Sequence, residues 1–153
     1  MRSVRTSAKA VIIRDNKLLA VKLKDSDGEF YILPGGGQEA GEPLPDAVKR
    51  EVAEEMGVDV CVEELLFVIE GPKGEDHHRV DLVFECEYIG KLPNAELHGD
   101  TNQIGFDWLD IETLNRTPLY PSKLRRPIME HCAGRPHAVY LGCESVGDPE
   151  CVD

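Results

Sequence analysis

The sequence has no apolar run long enough for a membrane span, and its first residues do not suit a signal peptide. A membrane-spanning helix needs about 18 or more consecutive apolar residues, and no stretch of this chain approaches that length. Polar Arg14 and Asp15 follow the first apolar segment, too early for the apolar region of a signal peptide. We therefore expect a cytoplasmic protein.

Cysteine is sparse and scattered, and no two cysteines form a C-x-x-C pair. The cysteines are Cys61, Cys86, Cys132, Cys143 and Cys151. Their odd number and irregular spacing fit neither a disulfide framework nor a zinc site. We expect reduced thiols, most of them packed as small apolar groups.

Basic residues are in deficit. The chain carries 17 Lys and Arg against 29 Asp and Glu, a formal net charge of −12. Proteins that bind nucleic acid polymers or anionic membrane surfaces usually present basic surfaces, so neither is an expected partner. An acidic protein that handles phosphates needs cations to mediate the contact. With 153 residues, 41% of them hydrophobic, the chain is long enough to bury one sizeable core.

The spacing of apolar residues predicts a mixed β-sheet flanked by helices, an α/β fold. The predicted strands are residues 8–13, 18–24, 30–33, 58–69, 79–89 and 106–109. The predicted helices are 44–56 and 121–132, with a helical turn at 110–114. Two polar loops, 70–78 and 90–103, separate the later strands. The second loop is long enough to suggest a function.

The predicted helix 44–56 carries carboxylates in an unfavourable place. On a helical wheel, Glu51 and Glu55 border the apolar stripe that contains Val48. Glu54 and Glu55 follow Glu51 at i+3 and i+4, where like charges repel by roughly 0.2–0.5 kcal/mol per pair. Arg50 can reach Glu54, and crowded carboxylate oxygens are also the ligands of Mg²⁺ or Mn²⁺. Taken alone, the helix favours the interpretation as an acidic surface helix with salt bridges over a metal site.

The residues around this helix also fill a nine-position pattern, G-x₅-E-x₇-R-E-U-x-E-E-x-G-U, in which U is apolar. The matching residues are Gly36, Glu42, Arg50, Glu51, Val52, Glu54, Glu55, Gly57 and Val58. With ordinary residue frequencies, a chance match is on the order of 10⁻⁹ per start position. This pattern is the Nudix box, and the chain resembles the MutT-like Nudix hydrolases over roughly residues 5–132.

The resemblance implies an α/β/α sandwich that hydrolyses a nucleoside diphosphate linked to another group, with Mg²⁺ or Mn²⁺. It implies that Glu51, Glu54 and Glu55 form the metal face, with Glu51 and Glu54 catalytic. Arg50 would orient a glutamate in this site. The glycines Gly35, Gly36 and Gly37 would let the backbone approach the helix and the substrate phosphates closely. A bound cation would explain how an acidic protein holds an anionic substrate.

Relatives often add a carboxylate from outside the box as a metal ligand or general base. Candidates here are Glu96 and Asp100 in the 90–103 loop and Glu85 on the preceding strand. Each also fits a solvated surface charge. Asn102 and Gln103 stand where some relatives carry acids, so that position offers no carboxylate here.

The resemblance also indicates the domain boundaries. We expect a Nudix domain at 1–132, with the box at 36–58, and a tail at 133–153 in which the apolar run 138–141 forms an extra strand.

Several residues keep two interpretations. Residues 77–79 suit either a polar loop or a substrate contact, and Trp108 suits either the core or a base-stacking surface. The basic residues of 123–126 suit either a solvated helix face or a distal phosphate site.

The leading functional hypothesis is a pyrophosphohydrolase of a small nucleotide, a (d)NTP or a nucleotide sugar, recognised in part by the 70–78 loop. Pro72 lies where some ADP-ribose hydrolases carry a proline, and it equally suits an ordinary turn. The alternative is a catalytically silent module that binds a nucleotide or protein. Such modules typically lose box glutamates, whereas this chain keeps all of them. The acidic net charge disfavours an RNA-decapping enzyme. The sequence leaves open whether the chain forms a homodimer.

Overall fold

The computed structural model describes residues 2–74, 76–93, 97 and 102–150, which form one sheet with helices on both faces. The strands are β1 Val4–Arg14, β2 Lys17–Asp25, β3 Gly28–Ile32, β4 Gly35–Gly37, β5 Val58–Gly71, β6 His78–Lys91, β7 Gln103–Asp110, β8 Leu119–Tyr120 and β9 Tyr140–Cys143. The helices are α1 Leu44–Met56 and α2 Arg125–Cys132, with 3₁₀ helices at Ile111–Arg116 and Ser122–Leu124. Within these described ranges, no helix combines the length and apolarity of a membrane span.

The sheet is mixed, and β1 connects its two parts. The strand order is β8-β3-β2-β1-β6-β5-β9, with β4 also paired to β1 and β7 to β2. Most of β1 runs parallel to β6, whereas its last residues, Ile13 and Arg14, pair with β2 in a hairpin. The short strand β4 lies antiparallel on the other edge of β1. This arrangement places the glycine segment beside the middle of the sheet.

Alternating residues of β1 supply the cores on the two faces of the sheet. Ala8, Ala10 and Ile12 pack with the buried side of α1. Val11 points to the opposite face, where it packs with residues of α2 and the 3₁₀ helices. The period of two along a strand produces this division. The predicted α/β/α arrangement with a mixed sheet is therefore confirmed.

Helix α1 occupies the range predicted from sequence, residues 44–56. Its apolar stripe, including Val48, Val52 and Met56, is buried against the sheet. Pro45 lies in the first turn, where no N–H partner is needed. Gly57 ends the helix in the left-handed conformation with φ 65°, and its N–H donates to the Ala53 carbonyl. Local signals at both ends thus fix the helix length.

The C-terminal helix is shorter than the prediction of 121–132. Residues Ser122–Leu124 form a 3₁₀ helix, and the α-helix begins only at Arg125. Pro127 explains the late start, because its ring would collide with the carbonyl of residue 123 if an α-helix ran through both. The prediction also missed β4 and β8, whose short segments carry no alternating pattern of their own.

The tail adds the extra strand that its apolar run predicts. The strand β9 begins at Tyr140, two residues later than the apolar run, and lies parallel to β5. Residues beyond 132 therefore belong to the sheet. Among the described cysteines none forms a disulfide. Cys86 is buried, and burial raises the pKa of its thiol to about 12, so it is an inert core group; Cys151 lies outside the described residues.

We predict that Gly57→Ala destabilises the fold by about 1–2 kcal/mol, because a Cβ is unfavourable in the left-handed conformation. Gly90→Ala is the matched control: Gly90 has no left-handed φ, and an added Cβ there meets nothing within 4 Å. Urea unfolding of both variants measures the difference. Equal stabilities for the two variants would contradict the role of Gly57 as the helix stop.

Candidate active site

The site begins at the glycine strand β4, which lies unusually close to β1. Gly35 pairs with Lys9 and has φ +138°, a conformation that side chains rarely adopt. A Cβ at Gly35 would lie 2.2 Å from the Ala8 carbonyl oxygen. Only glycine permits this approach, so the first glycine of the segment joins the box to the sheet.

The next two glycines have different environments. A Cβ at Gly36 would lie 2.5 Å from a carboxylate oxygen of Glu51, so Gly36 makes room for this side chain. A Cβ at Gly37 would meet nothing within 4 Å, and Gly37 contributes its carbonyl oxygen, which accepts from Arg50 at 3.0 Å. The predicted close approach to the helix thus holds for Gly36, whereas Gly35 approaches β1 and Gly37 needs no extra space.

Arg50 is the centre of the carboxylate network. Its Nε and Nη2 donate to the two carboxylate oxygens of Glu42, at 2.7 and 3.0 Å. Its Nη1 donates to Glu51 at 3.0 Å and to Glu54 at 3.3 Å. One guanidinium therefore contacts three carboxylates of the box. These contacts, with Glu42 first, hold the pKa of Arg50 above its usual value.

Glu42 fastens the loop ahead of α1. Its carboxylate accepts from Arg50 and from the backbone N–H of Glu39, and both hydrogen bonds hold the pKa of Glu42 below its usual range. Gln38 donates its side-chain N–H to the Glu42 carbonyl and accepts from the hydroxyl of Thr6. The loop between β4 and α1 is thereby tied to both β1 and the helix.

Glu51 and Glu55, which the helical wheel places beside the apolar stripe, lie against the glycine strand. An oxygen of Glu55 accepts from the Gly35 N–H at 2.9 Å, and Glu51 lies against Gly36. Glu54 is more open to solvent, with 40% of its side chain exposed against 20% for Glu51. Glu51 and Glu55 thus border β4, and Glu51 and Glu54 contact the Arg50 guanidinium.

The donor set suits a hard divalent cation in its chemistry, since it consists of carboxylate oxygens. Glu51 and Glu54 contact the same guanidinium nitrogen, so a metal ion held by both would compete with Arg50. Among the residues that the structure describes, no three His, Cys, Asp or Glu side chains already form a metal cluster. The box thus brings the carboxylates of Glu51 and Glu54 together, with the Arg50 cation between them.

Glu85 does not join the box. Its carboxylate lies 3.2 Å from Nε2 of His131 in α2, on the face of the sheet opposite α1. The alternation along β6 causes this, because Glu85 shares a face with Val83 of the α2-side core. The other two proposed carboxylates, Glu96 and Asp100, lie outside the described residues.

The remaining sequence candidates have structural partners. Trp108 packs against the α1-side core, with its ring edge-to-face against Tyr88 at 5.8 Å. His78 lies 2.8 Å from Glu70, and Lys123 donates to the carbonyl of Cys143. These contacts favour a structural role for each of them.

A cleft of about 810 Å³ lies beside the glycine strand. Its walls include Lys9, which pairs with Gly35, and Leu33, two residues ahead of Gly35. Asp81 of β6 and the segment 144–148 form further parts of the lining. No sequence pattern indicates this cleft, because its residues are far apart along the chain.

The family model for the NUDIX domain matches residues 4–132, most of the chain. The chain belongs to the NUDIX family. It is thus a Nudix hydrolase of pyrophosphate bonds. The extra strand β9 of the sheet lies beyond residues 4–132, the range that the family model matches.

Two named relatives of this Nudix chain are about 30% identical to it within the aligned residues. An ADP-ribose pyrophosphatase of Methanocaldococcus jannaschii is 31% identical over 121 residues, 78% of this chain and 69% of that protein. The nucleoside triphosphatase NudI of Escherichia coli is 30% identical over 96 residues, 54% of this chain and 67% of that protein. A solved NUDIX hydrolase from Nitrosomonas europaea shares the fold, with a TM-score of 0.72 at 22% identity, covering 90% of this chain and 94% of that one.

We predict that the stabilising effect of Glu42 disappears in acid. Because its pKa is lowered in the folded state, Glu42 stabilises the fold at pH values above its unfolded pKa of about 4.3. This stability is lost as the pH falls through the folded pKa. The difference in unfolding free energy between wild type and Glu42→Gln should therefore be present at pH 7 and shrink in strong acid. A difference that is independent of pH in urea titrations would contradict the ion pair.

The three glycines of β4 provide a second prediction. Gly35→Ala should lose stability, because its Cβ meets backbone of β1. Gly36→Ala should remain folded, because the Glu51 carboxylate can shift, but should lose hydrolytic activity at least about tenfold as Glu51 is displaced. Gly37→Ala is the control and should resemble wild type. Thermal unfolding and kcat distinguish the three, and an active Gly36→Ala would refute the role of the Gly36–Glu51 contact.

Proposed function

We propose that this chain catalyses the divalent-metal-dependent hydrolysis of the pyrophosphate bond of a small nucleotide, a (d)NTP or a nucleotide sugar. Glu51, Glu54 and Glu55 are the proposed ligands of Mg²⁺ or Mn²⁺. The observation that carries the proposal is the Arg50 network, which gathers the carboxylates of the box beside the glycine strand.

The protein residues have separate tasks in this proposal. A bound divalent ion neutralises charge on phosphoryl oxygens and lowers the pKa of a coordinated water. Arg50 holds Glu51 and Glu54 in position, and the Gly35 N–H does the same for Glu55. Lys9 brings a positive charge to the cleft beside Gly35, where it can attract substrate phosphate.

The substrate class rests on the size of the cleft and on the relatives. A cleft of about 810 Å³ falls in the usual range for small-molecule sites, about 300–1,000 Å³. The named relatives act on ADP-ribose and on nucleoside triphosphates, which share a nucleoside attached to a pyrophosphate. We therefore place the nucleoside in the cleft and the pyrophosphate towards β4 and α1.

Removing one box carboxylate should test the metal site. We predict that Glu54→Gln and Glu55→Gln each lower kcat by at least about 10²-fold, the scale of a lost preorganised electrostatic partner. Glu112→Gln, a change of an exposed glutamate on the 3₁₀ helix Ile111–Arg116, is the matched control and should leave kcat unchanged. Phosphate release across dNTPs, nucleotide sugars and ADP-ribose provides the assay.

The same assay tests the metal requirement. EDTA should abolish hydrolysis, and added Mg²⁺ or Mn²⁺ should restore it, whereas Ca²⁺ should support it poorly because it is larger and less strict in geometry. Full activity in EDTA, or wild-type turnover by both glutamine variants at saturating Mg²⁺, would refute the proposal.

A further inference from the structure

Asp81 is a buried carboxylate with one unused oxygen at the border of the cleft. The residue is 3% exposed. Its Oδ2 accepts from Nε of Arg79 at 2.8 Å, whereas the buried Oδ1 has no hydrogen-bond partner. Buried polar atoms are nearly always hydrogen-bonded, and leaving a charged one without a partner is costly. A ligand that donates a hydrogen bond would remove this cost.

Arg79 holds the carboxylate in its orientation. A Cβ at Gly71, which pairs with Arg79 across β5 and β6, would lie 2.7 Å from Nη1 of Arg79. The guanidinium therefore lies directly on the backbone of Gly71, in space that any side chain would occupy. With Oδ2 bound to Arg79, Oδ1 is left as the acceptor for a ligand.

The segment 144–148 forms a wall of the same cleft, and it lies beyond the residues that match the family model. Glu144 is buried and accepts hydrogen bonds from the N–H and hydroxyl of Ser122 and from the N–H of Lys123. Ser145 accepts from the N–H of Lys73. The wall is thus fixed to both the 3₁₀ helix Ser122–Leu124 and the loop after β5.

These contacts revise the expected part of the 70–78 loop. Among the described residues of this loop, none lines the cleft, whereas Arg79, Asp81 and the segment 144–148 do, and Lys73 of the loop supports this segment from behind. Gly74 packs so closely that an added Cβ would lie 2.5 Å from the Val146 carbonyl oxygen. Recognition is therefore expected from β6 and the tail.

We propose that Asp81 determines substrate specificity: its free Oδ1 accepts a hydrogen bond from the nucleoside bound between β6 and the segment 144–148. The inference rests on the proposed function for the placement of the nucleoside. Either an amino group of the base or a hydroxyl of the ribose supplies the donor. A carboxylate rejects groups that present only acceptors, since two acceptors cannot share a hydrogen bond.

Paired substrates and Asp81→Asn test the proposal. With CTP against UTP, ATP against ITP, and each against its 2′-deoxy form, wild type should prefer the member of a pair that carries the exocyclic amino group or the 2′-hydroxyl. Asp81→Asn should raise KM for that substrate by at least about tenfold, which corresponds to about 1.4 kcal/mol, and should leave kcat within about twofold. A preference within CTP/UTP or ATP/ITP identifies an amino group as the donor. A preference for the ribonucleotide over its 2′-deoxy form identifies a ribose hydroxyl as the donor. Glu112→Gln is the control and should retain the wild-type ranking.

Calorimetric binding of the corresponding nucleoside monophosphates in EDTA provides a readout that does not depend on hydrolysis. Weaker binding by Asp81→Asn would support the inference even if no substrate were hydrolysed, in which case only the proposed function would fail. Should Asp81→Asn not fold, Val146→Trp, which narrows the cleft from its exposed wall, should weaken the same binding. Unchanged substrate ranking and unchanged monophosphate affinity in the folded variants would overturn the inference.

Discussion

The arrangement of the site depends on one guanidinium group. Arg50 contacts the carboxylates of Glu42, Glu51 and Glu54 and the carbonyl of Gly37. Charge-assisted hydrogen bonds of this kind are short and directional, and the planar fork of arginine suits them where a lysine would not. Without this cation, the repulsion between Glu51 and Glu54, three residues apart on α1, would lose the contacts that offset it. The network therefore permits an acidic helix to pack against the sheet.

The glycine strand β4 supplies backbone contacts to the same network. Because Gly35 lies against β1 and Gly36 against Glu51, the carboxylate of Glu51 meets backbone on one side and Arg50 on the other. The cleft beside β4 adds Lys9 as a cation and Asp81 as a fixed acceptor. In a chain with a net charge of −12, the lining of this cleft combines the cations Lys9 and Arg79 with several further acidic residues: Asp25, Asp27, Glu29, Glu144 and Asp148.

Elements with strong local signals could be predicted from sequence. Helix α1 was predicted at its observed limits, because a periodic apolar stripe lies between Pro45 and Gly57. The predicted range of α2 was too long at its start, although Pro127, which limits the helix, is visible in the sequence. The strand β4 carries no apolar pattern, since it consists only of glycines. Its pairing with β1 arises from tertiary contact.

By itself the sequence determined the family, the range of α1 and the residues that make up the box, because these depend on spacing within a short segment. Only the tertiary structure decided that Glu85 faces α2, and that the tail and Asp81 border one cleft. The physical reason is that a strand residue takes its face and its neighbours from the register of the sheet. Register joins segments that are distant in the chain, and no local pattern records it.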